Sequence, residues 1–309
     1  MADFSISRAI GSGFDLIVRR PGSVLAWSAA YLLIALVPVA CVFGYMFSEL
    51  PSLFAGIRHL DPQGGPPPDF FRLQSRMMMA NPIMFVTGLA GRALLVGAIY
   101  RSILEPDNRR FFALRLGTQE LWLALSLFVY GVMMMFAIFG VMLGGGALGG
   151  LVWLLTGLIP DPTATTITRV VLIAGVVVAA MGAWIWVAVR LSLGPVMTFV
   201  DREFRLFESW TFTRDHAWKL AGLMVVLAII AFGIGLTLEG VILAIIYSQL
   251  GGFDPPHLHA LFHDGQLPHI GPLLSVLGPV MVLVAALVGP MLTILVAPLA
   301  SAYRDLRNA

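Results

Sequence analysis

Between Asp201 and Leu220 the chain reads DREFRLFESWTFTRDHAWKL, a charged and aromatic stretch. It sits between "IWVAVRLSLGPVMTFV" upstream and "AGLMVVLAIIAFGIGL" downstream, both almost purely apolar. Placed on a helix or bent helix, Phe204, Phe207, Trp210 and Trp218 share one broad side, with Leu206 nearby. Arg202, Arg205, Glu208 and Asp215 lie mostly elsewhere. That separation suits a segment in a membrane interface, with rings at the acyl boundary and arginines among lipid phosphates. Asp201 and Ser209 are the expected local caps.

The rest of the chain supplies the membrane that this reading needs. Hydrophobic residues make up 59% of 309 positions and charged residues 12%, and the mean hydropathy is +0.90. A soluble domain carries about 25% charged residues. A net charge of +2 is too small to suggest nucleic acid, and a single cysteine, Cys41, excludes an internal disulfide.

Apolar windows fall near 23–47, 83–104, 119–143, 167–193, 218–247 and 271–303, each long enough for a crossing. The apolar run beginning at Ser23 is too long for the core of a secretory signal and reads as a first transmembrane helix. Trp27, Trp122, Trp184, Trp186, Trp218, Tyr247 and Tyr303 sit near window ends, where amphipathic rings prefer the headgroup level. "ALGGLVWLLTGLI", between the third and fourth windows, is too short to span and is expected to be re-entrant or interfacial.

Arginine and lysine set the expected orientation. Fourteen of the nineteen fall on the side of the termini, the second loop and the fourth loop, and only four on the opposite side. The positive-inside bias then places both termini in the cytoplasm. The even-numbered helices end in matching phrases, "GAIYRSIL", "WVAVRLSL" and "SAYRDLRN", with Arg101, Arg190 and Arg304 in equivalent places. The odd-numbered helices are introduced by "RRPGSVLAW", "TQELWLAL" and "DHAWKLAG". The expected fold is all-α: six transmembrane helices arranged as three hairpins. One membrane domain covers 1–309, with an amphipathic N-terminal segment over 1–22 and hairpins over 23–104, 105–193 and 218–309. An amphipathic cytoplasmic segment spans 194–217. Ile6, Ile10, Phe14 and Ile17 form the apolar stripe of the N-terminal segment.

The run "VRLSLGPVMTFVDREFRLFESWTFTRDHAWKLAGL" resembles the central signature of bacterial membrane proteins related to the glycerophosphoryl diester phosphodiesterase membrane domain. The matching positions are Arg190, Pro195, Asp201, Ser209, Trp210, Thr213, Trp218 and Gly222. Tyr303, Asp305, Leu306 and Arg307 resemble that family's closing phrase. His216 and Ala217 depart from the usual residues before the tryptophan. The resemblance covers most of the chain in architecture and about 45 residues at motif level. It implies a six-helix membrane domain of the bacterial inner membrane. It does not imply the phosphodiesterase activity, which belongs to a separate barrel domain.

Within the expected bundle two charges stand out. Arg92 and Glu239 lie roughly 15 Å and 12 Å from the outer ends of their helices at about 1.5 Å per residue. A buried arginine costs at least a few kcal/mol unless paired, so the two are expected to face each other as an intramembrane ion pair. The pair could fix helix packing or line a polar path. In the last outer loop, His257, His259 and His263 are candidate metal ligands, with Asp264 or His269 able to complete the set. The glycine run "GVMLGGGALGG" lacks the Lys-Ser/Thr of a phosphate loop. Gly140 and Gly144, like Gly175, Ala179 and Ala183, instead fit close small-xxx-small helix contacts.

No nucleophile–base pair, no HExxH and no carboxylates at catalytic spacing occur, so the chain is not expected to be an enzyme, and no cofactor is expected. The leading expectation is a non-catalytic inner-membrane protein that organises the membrane, or binds anionic lipid or a protein partner. Arg190, Arg205, Arg214 and Lys219 would make the contacts, and Trp210 and Trp218 would act as anchors. The alternative is a transporter or channel-like protein using the Arg92–Glu239 region.

Overall fold

The computed structural model describes residues 4–47, 68–105, 110–250 and 270–308. Helices α1 (Ile6–Arg19), α2 (Pro21–Tyr31) and α3 (Val37–Phe47) open the chain, the last two joined by a π-helical turn at Leu32–Leu36. There follow α4 (Pro68–Leu104), α5 (Thr118–Thr156), α6 (Pro162–Leu191), α7 (Gly194–Asp201), α8 (Glu208–Phe212), α9 (Ala217–Leu250) and α10 (Ile270–Arg307). No strand occurs among the described residues. Six stretches are long and apolar enough to cross a membrane: Pro21–Val42, Gln74–Leu104, Thr118–Thr156, Pro162–Asp201, Arg214–Ile245 and Gly278–Arg307. The protein is an all-α, multi-pass membrane protein. Its backbone polar groups are satisfied within helices, as a hydrocarbon solvent requires.

The chain forms two compact units. The first comprises 7–116 and 227–301. At its centre Leu16, Val24, Trp27, Leu95, Ala98, Ile99, Ala113 and Ala297 form one buried cluster. Small residues let helices approach closely here. A Cβ on Gly13 would lie 3.0 Å from the Ile294 Cα, and one on Gly91 would lie 3.1 Å from the Ala35 Cβ. That closeness rotates α1 from its expected setting. Its buried line is Ala9, Gly13 and Leu16 rather than the bulkier stripe, and Phe14 is exposed. In this unit Trp27 Nε1 donates to the Phe112 carbonyl at 2.8 Å, and Arg101 donates to the Ala113 carbonyl.

The second unit comprises 1–6, 117–226 and 302–309. Its main feature is the antiparallel pair α5–α6. The helix α5 has 39 residues, about 58 Å at ~1.5 Å per residue, longer than the ~30 Å hydrocarbon layer. The piece expected to be re-entrant, 147–159, is largely the end of this helix and not a separate segment. The helix continues unbroken through the glycines at 144–146 and 149–150. At the turn Asp161 caps α6 by accepting from Thr163 N at 2.8 Å. The Arg169 guanidinium stacks on Trp153 at 3.6 Å from the ring centroid and its Nε donates to Thr156 Oγ1.

Helices α5 and α6 do not interlock through their small residues as expected. A Cβ on Gly140, Gly144 or Gly175 would meet nothing within 4 Å. Gly140, Gly144, Ala179 and Ala183 instead hollow out an apolar groove of about 430 Å³ between the two helices.

Candidate functional site

The stretch from Asp201 to Leu220 folds as a sequence of short pieces: α8, a 3-10 turn at Arg214–His216 and the start of α9. Its buried residues are Leu206, Ser209, Thr213, Ala217 and Leu220, a line at helical spacing. The large rings point the other way: Phe207, Trp210 and Trp218 are 57%, 41% and 81% exposed. The segment is therefore two-faced, with small and polar residues turned inward and aromatic residues turned outward. The preceding α7 is not part of this surface, since Gly194 to Phe199 are all buried.

Two devices fold the segment back. A Cβ on Gly194 would lie 2.4 Å from Leu206 Cδ1 and 3.0 Å from both the Leu206 Cα and carbonyl oxygen, so only glycine admits this backbone approach. At the end of α7, Arg202 adopts φ 58, a left-handed conformation that reverses the chain after the helix. Arg205 N then donates to Thr198 Oγ1 at 3.1 Å.

Arg190 is the centre of the site. Its carbonyl, in the last turn of α6 and without an intrahelical donor, accepts from Ser209 Oγ at 2.9 Å and Thr213 Oγ1 at 3.3 Å. Ser209 is therefore not the expected local cap of its own segment; it caps α6 instead. Arg190 is 8% exposed. Its guanidinium lies 4.9 Å from the Trp210 ring centroid and 5.8 Å from that of Trp186. Trp186 in turn packs against Trp218 at 5.6 Å. Arg190 Nε is sealed from solvent and has no hydrogen-bond partner among the described residues.

Arg205 is placed differently. It sits 3.4 Å from Asp201, 3.7 Å from Glu203 and 3.2 Å from Glu208. Asp201 also pairs with Arg307 at 3.8 Å, and Tyr303 packs against Phe212 at 5.6 Å. Asp201 thus ties the segment to the C-terminal end of α10 and is not merely a local cap. Arg214 and Lys219 are exposed.

Arg92 and Glu239 are both exposed on their helices, and no ion pair joins them among the described residues. The helix α4 buries Gly91 and Ala93 to Tyr100, which turns Arg92 off the packed face. Glu239 lies on α9 in line with the exposed Phe232, Leu236 and Leu243. A second apolar groove, about 450 Å³, runs between α9 and α10 beside Gly233, Thr237 and Leu283; no charged side chain lines it. The histidines His257, His259, His263 and His269, and Asp264, lie outside the described residues. Among the described residues no group of His, Cys, Asp or Glu could hold a metal ion.

The arginines at the three helix endings play different parts. Arg101 is buried and holds a loop carbonyl, Arg190 is buried between tryptophans, and Arg304 pairs with Asp305 at 3.8 Å. No family model, no curated protein and no solved structure matches the chain.

Proposed function

We propose that this is a non-catalytic protein of the bacterial inner membrane, related to the glycerophosphoryl diester phosphodiesterase membrane-domain proteins. It binds anionic lipid headgroups through the segment 201–220. The carrying observation is the segment's two-sidedness: Leu206, Ser209 and Thr213 fasten it inward while Phe207, Trp210 and Trp218 face outward. Amphipathic rings of this kind favour the headgroup level. Arg214 and Lys219 stand exposed on the same stretch and supply the charge. The excess of arginine on this side supports a cytoplasmic location for the segment and both termini, where anionic lipids attract basic groups by about 1 kcal/mol each.

The experiment is a lipid titration of the purified protein in mixed micelles, followed by thermal unfolding. Ligands that bind the native state raise the transition temperature. Anionic lipid is expected to raise it more than zwitterionic lipid. That difference shrinks with added salt and in the Arg214→Gln, Lys219→Gln double variant. Equal stabilisation by both lipids at every salt concentration would refute the reading.

A further inference from the structure

The groove between α5 and α6 and the buried Arg190 lie on one line. Along α6 the groove is walled by Val176, Ala179, Ala183 and Val187, spaced so that the next position on that face is Arg190. Long side chains on a helix lean back toward its N-terminus. The Arg190 guanidinium does so here, since it lies within 5.8 Å of the Trp186 ring one turn earlier. Arg190 thus stands one turn beyond Val187, the last groove residue of α6. Val176 to Val187 spans about 17 Å at ~1.5 Å per residue, close to half of the ~30 Å hydrocarbon thickness and so to one leaflet's acyl chain.

We propose that this line is a binding site for one phospholipid, with its phosphodiester at Arg190 and one acyl chain in the groove. Two features point to a phosphate. Arg190 is 8% exposed and no ion pair joins it among the described residues, so a counter-charge would stabilise it. Its planar fork matches a phosphate oxygen pair. The Trp186 and Trp210 ring centroids lie 5.8 Å and 4.9 Å from its centre. The acyl half explains why Gly140 and Gly144 stand open rather than in helix contact. Recognition is of the phosphodiester and not of net charge, so zwitterionic and anionic phospholipids both fit. This rests on the lipid-binding reading above but differs from it in charge selectivity, salt dependence and stoichiometry.

The test measures phospholipid carried by protein purified from membranes in mild detergent, by native mass spectrometry and phosphorus content. Wild-type protein should retain one phospholipid per chain, and raising the salt concentration should not strip it. Arg190→Gln should lower retention by about tenfold or more, the scale of a lost charge-assisted bond, with Arg190→Lys intermediate. Gly144→Leu fills the groove while leaving Arg190 in place, and should lower retention in a protein that still elutes as a single species. Retention unchanged in Gly144→Leu would overturn the acyl half, and retention unchanged in Arg190→Gln would overturn the whole proposal. Inorganic phosphate displacing the lipid at millimolar concentration would instead mark a free-phosphate site and overturn it too. The Arg214→Gln, Lys219→Gln variant separates the two readings. It should keep the retained phospholipid while losing the salt-sensitive preference for anionic micelles.

Discussion

Ser28 and Gly289 are joined through a single hydroxyl: Gly289 N donates to Ser28 Oγ at 3.1 Å, and Ser28 Oγ donates to the Ala286 carbonyl at 3.2 Å. The reason lies one residue further on. Pro290 has no N–H, so the Ala286 carbonyl four residues earlier lacks its helical donor. Ser28 of α2 supplies it, in the manner by which membrane helices tolerate internal proline. The hydroxyl reaches the site because residue 289 is glycine. A Cβ there would fall 2.3 Å from Ser28 Oγ and 2.6 Å from the Val24 carbonyl.

Ser28→Ala should therefore destabilise the protein by about 1–3 kcal/mol, the cost of an unmet buried carbonyl. In a Pro290→Ala background the helix regains its own amide donor, and the cost of Ser28→Ala should fall. Thermal unfolding of the four proteins in one detergent measures the coupling. An equal cost of Ser28→Ala in both backgrounds would mean that the hydroxyl does not compensate for the proline.

The glycines separate into two kinds. Gly194→Ala forces a Cβ into the Leu206 backbone and should cost about 1–3 kcal/mol, as overpacking does. Gly140→Ala meets nothing within 4 Å and should stabilise by up to about 1 kcal/mol through helix propensity. Opposite shifts in transition temperature are expected. A neutral Gly194→Ala would remove the close approach that folds the segment back.

Phe112 and Ala113 both take left-handed conformations, with φ 55 and φ 62, and Trp27 and Arg101 hold their carbonyls. A left-handed non-glycine residue costs roughly 1–2 kcal/mol. Phe112 is largely exposed, so Phe112→Gly should be tolerated or stabilising. Trp27→Phe should destabilise by about 1–3 kcal/mol by stranding the carbonyl. Limited proteolysis around 110–116 would report the released loop. Resistance of Trp27→Phe equal to wild type would contradict its anchoring role.

Arg92 and Glu239 share no ion pair, so their substitutions should act independently. Arg92→Leu and Glu239→Gln are expected to add within roughly 0.5 kcal/mol in a double-mutant cycle. A larger coupling would restore the pair expected from their matched depths.

Much of this architecture is visible before folding because the bilayer imposes it. All six crossings follow from apolar runs, and the outward rings of 201–220 follow from helical spacing. What escaped were relationships that one segment cannot contain. The glycines near 144 look like a break, yet α5 runs through them. Ser28 meets Pro290 only across 262 positions of chain. Arg101, Arg190 and Arg304 carry the same local phrase, and their different surroundings arise from what folds over each. The inward line of Ser209 and Thr213, four residues apart beside Leu206 and Ala217, was the available signal for the burial of Arg190. The more obvious aromatic pattern obscured it.

The central claim is that the two-faced segment 201–220 rests on the cytoplasmic face of the membrane. The most direct measurement places a single cysteine at Arg214 in a Cys41→Ser background and treats intact cells with a membrane-impermeant maleimide. Labelling should be absent on intact cells and strong in inside-out vesicles. Strong labelling of intact cells would put the segment outside and contradict the account.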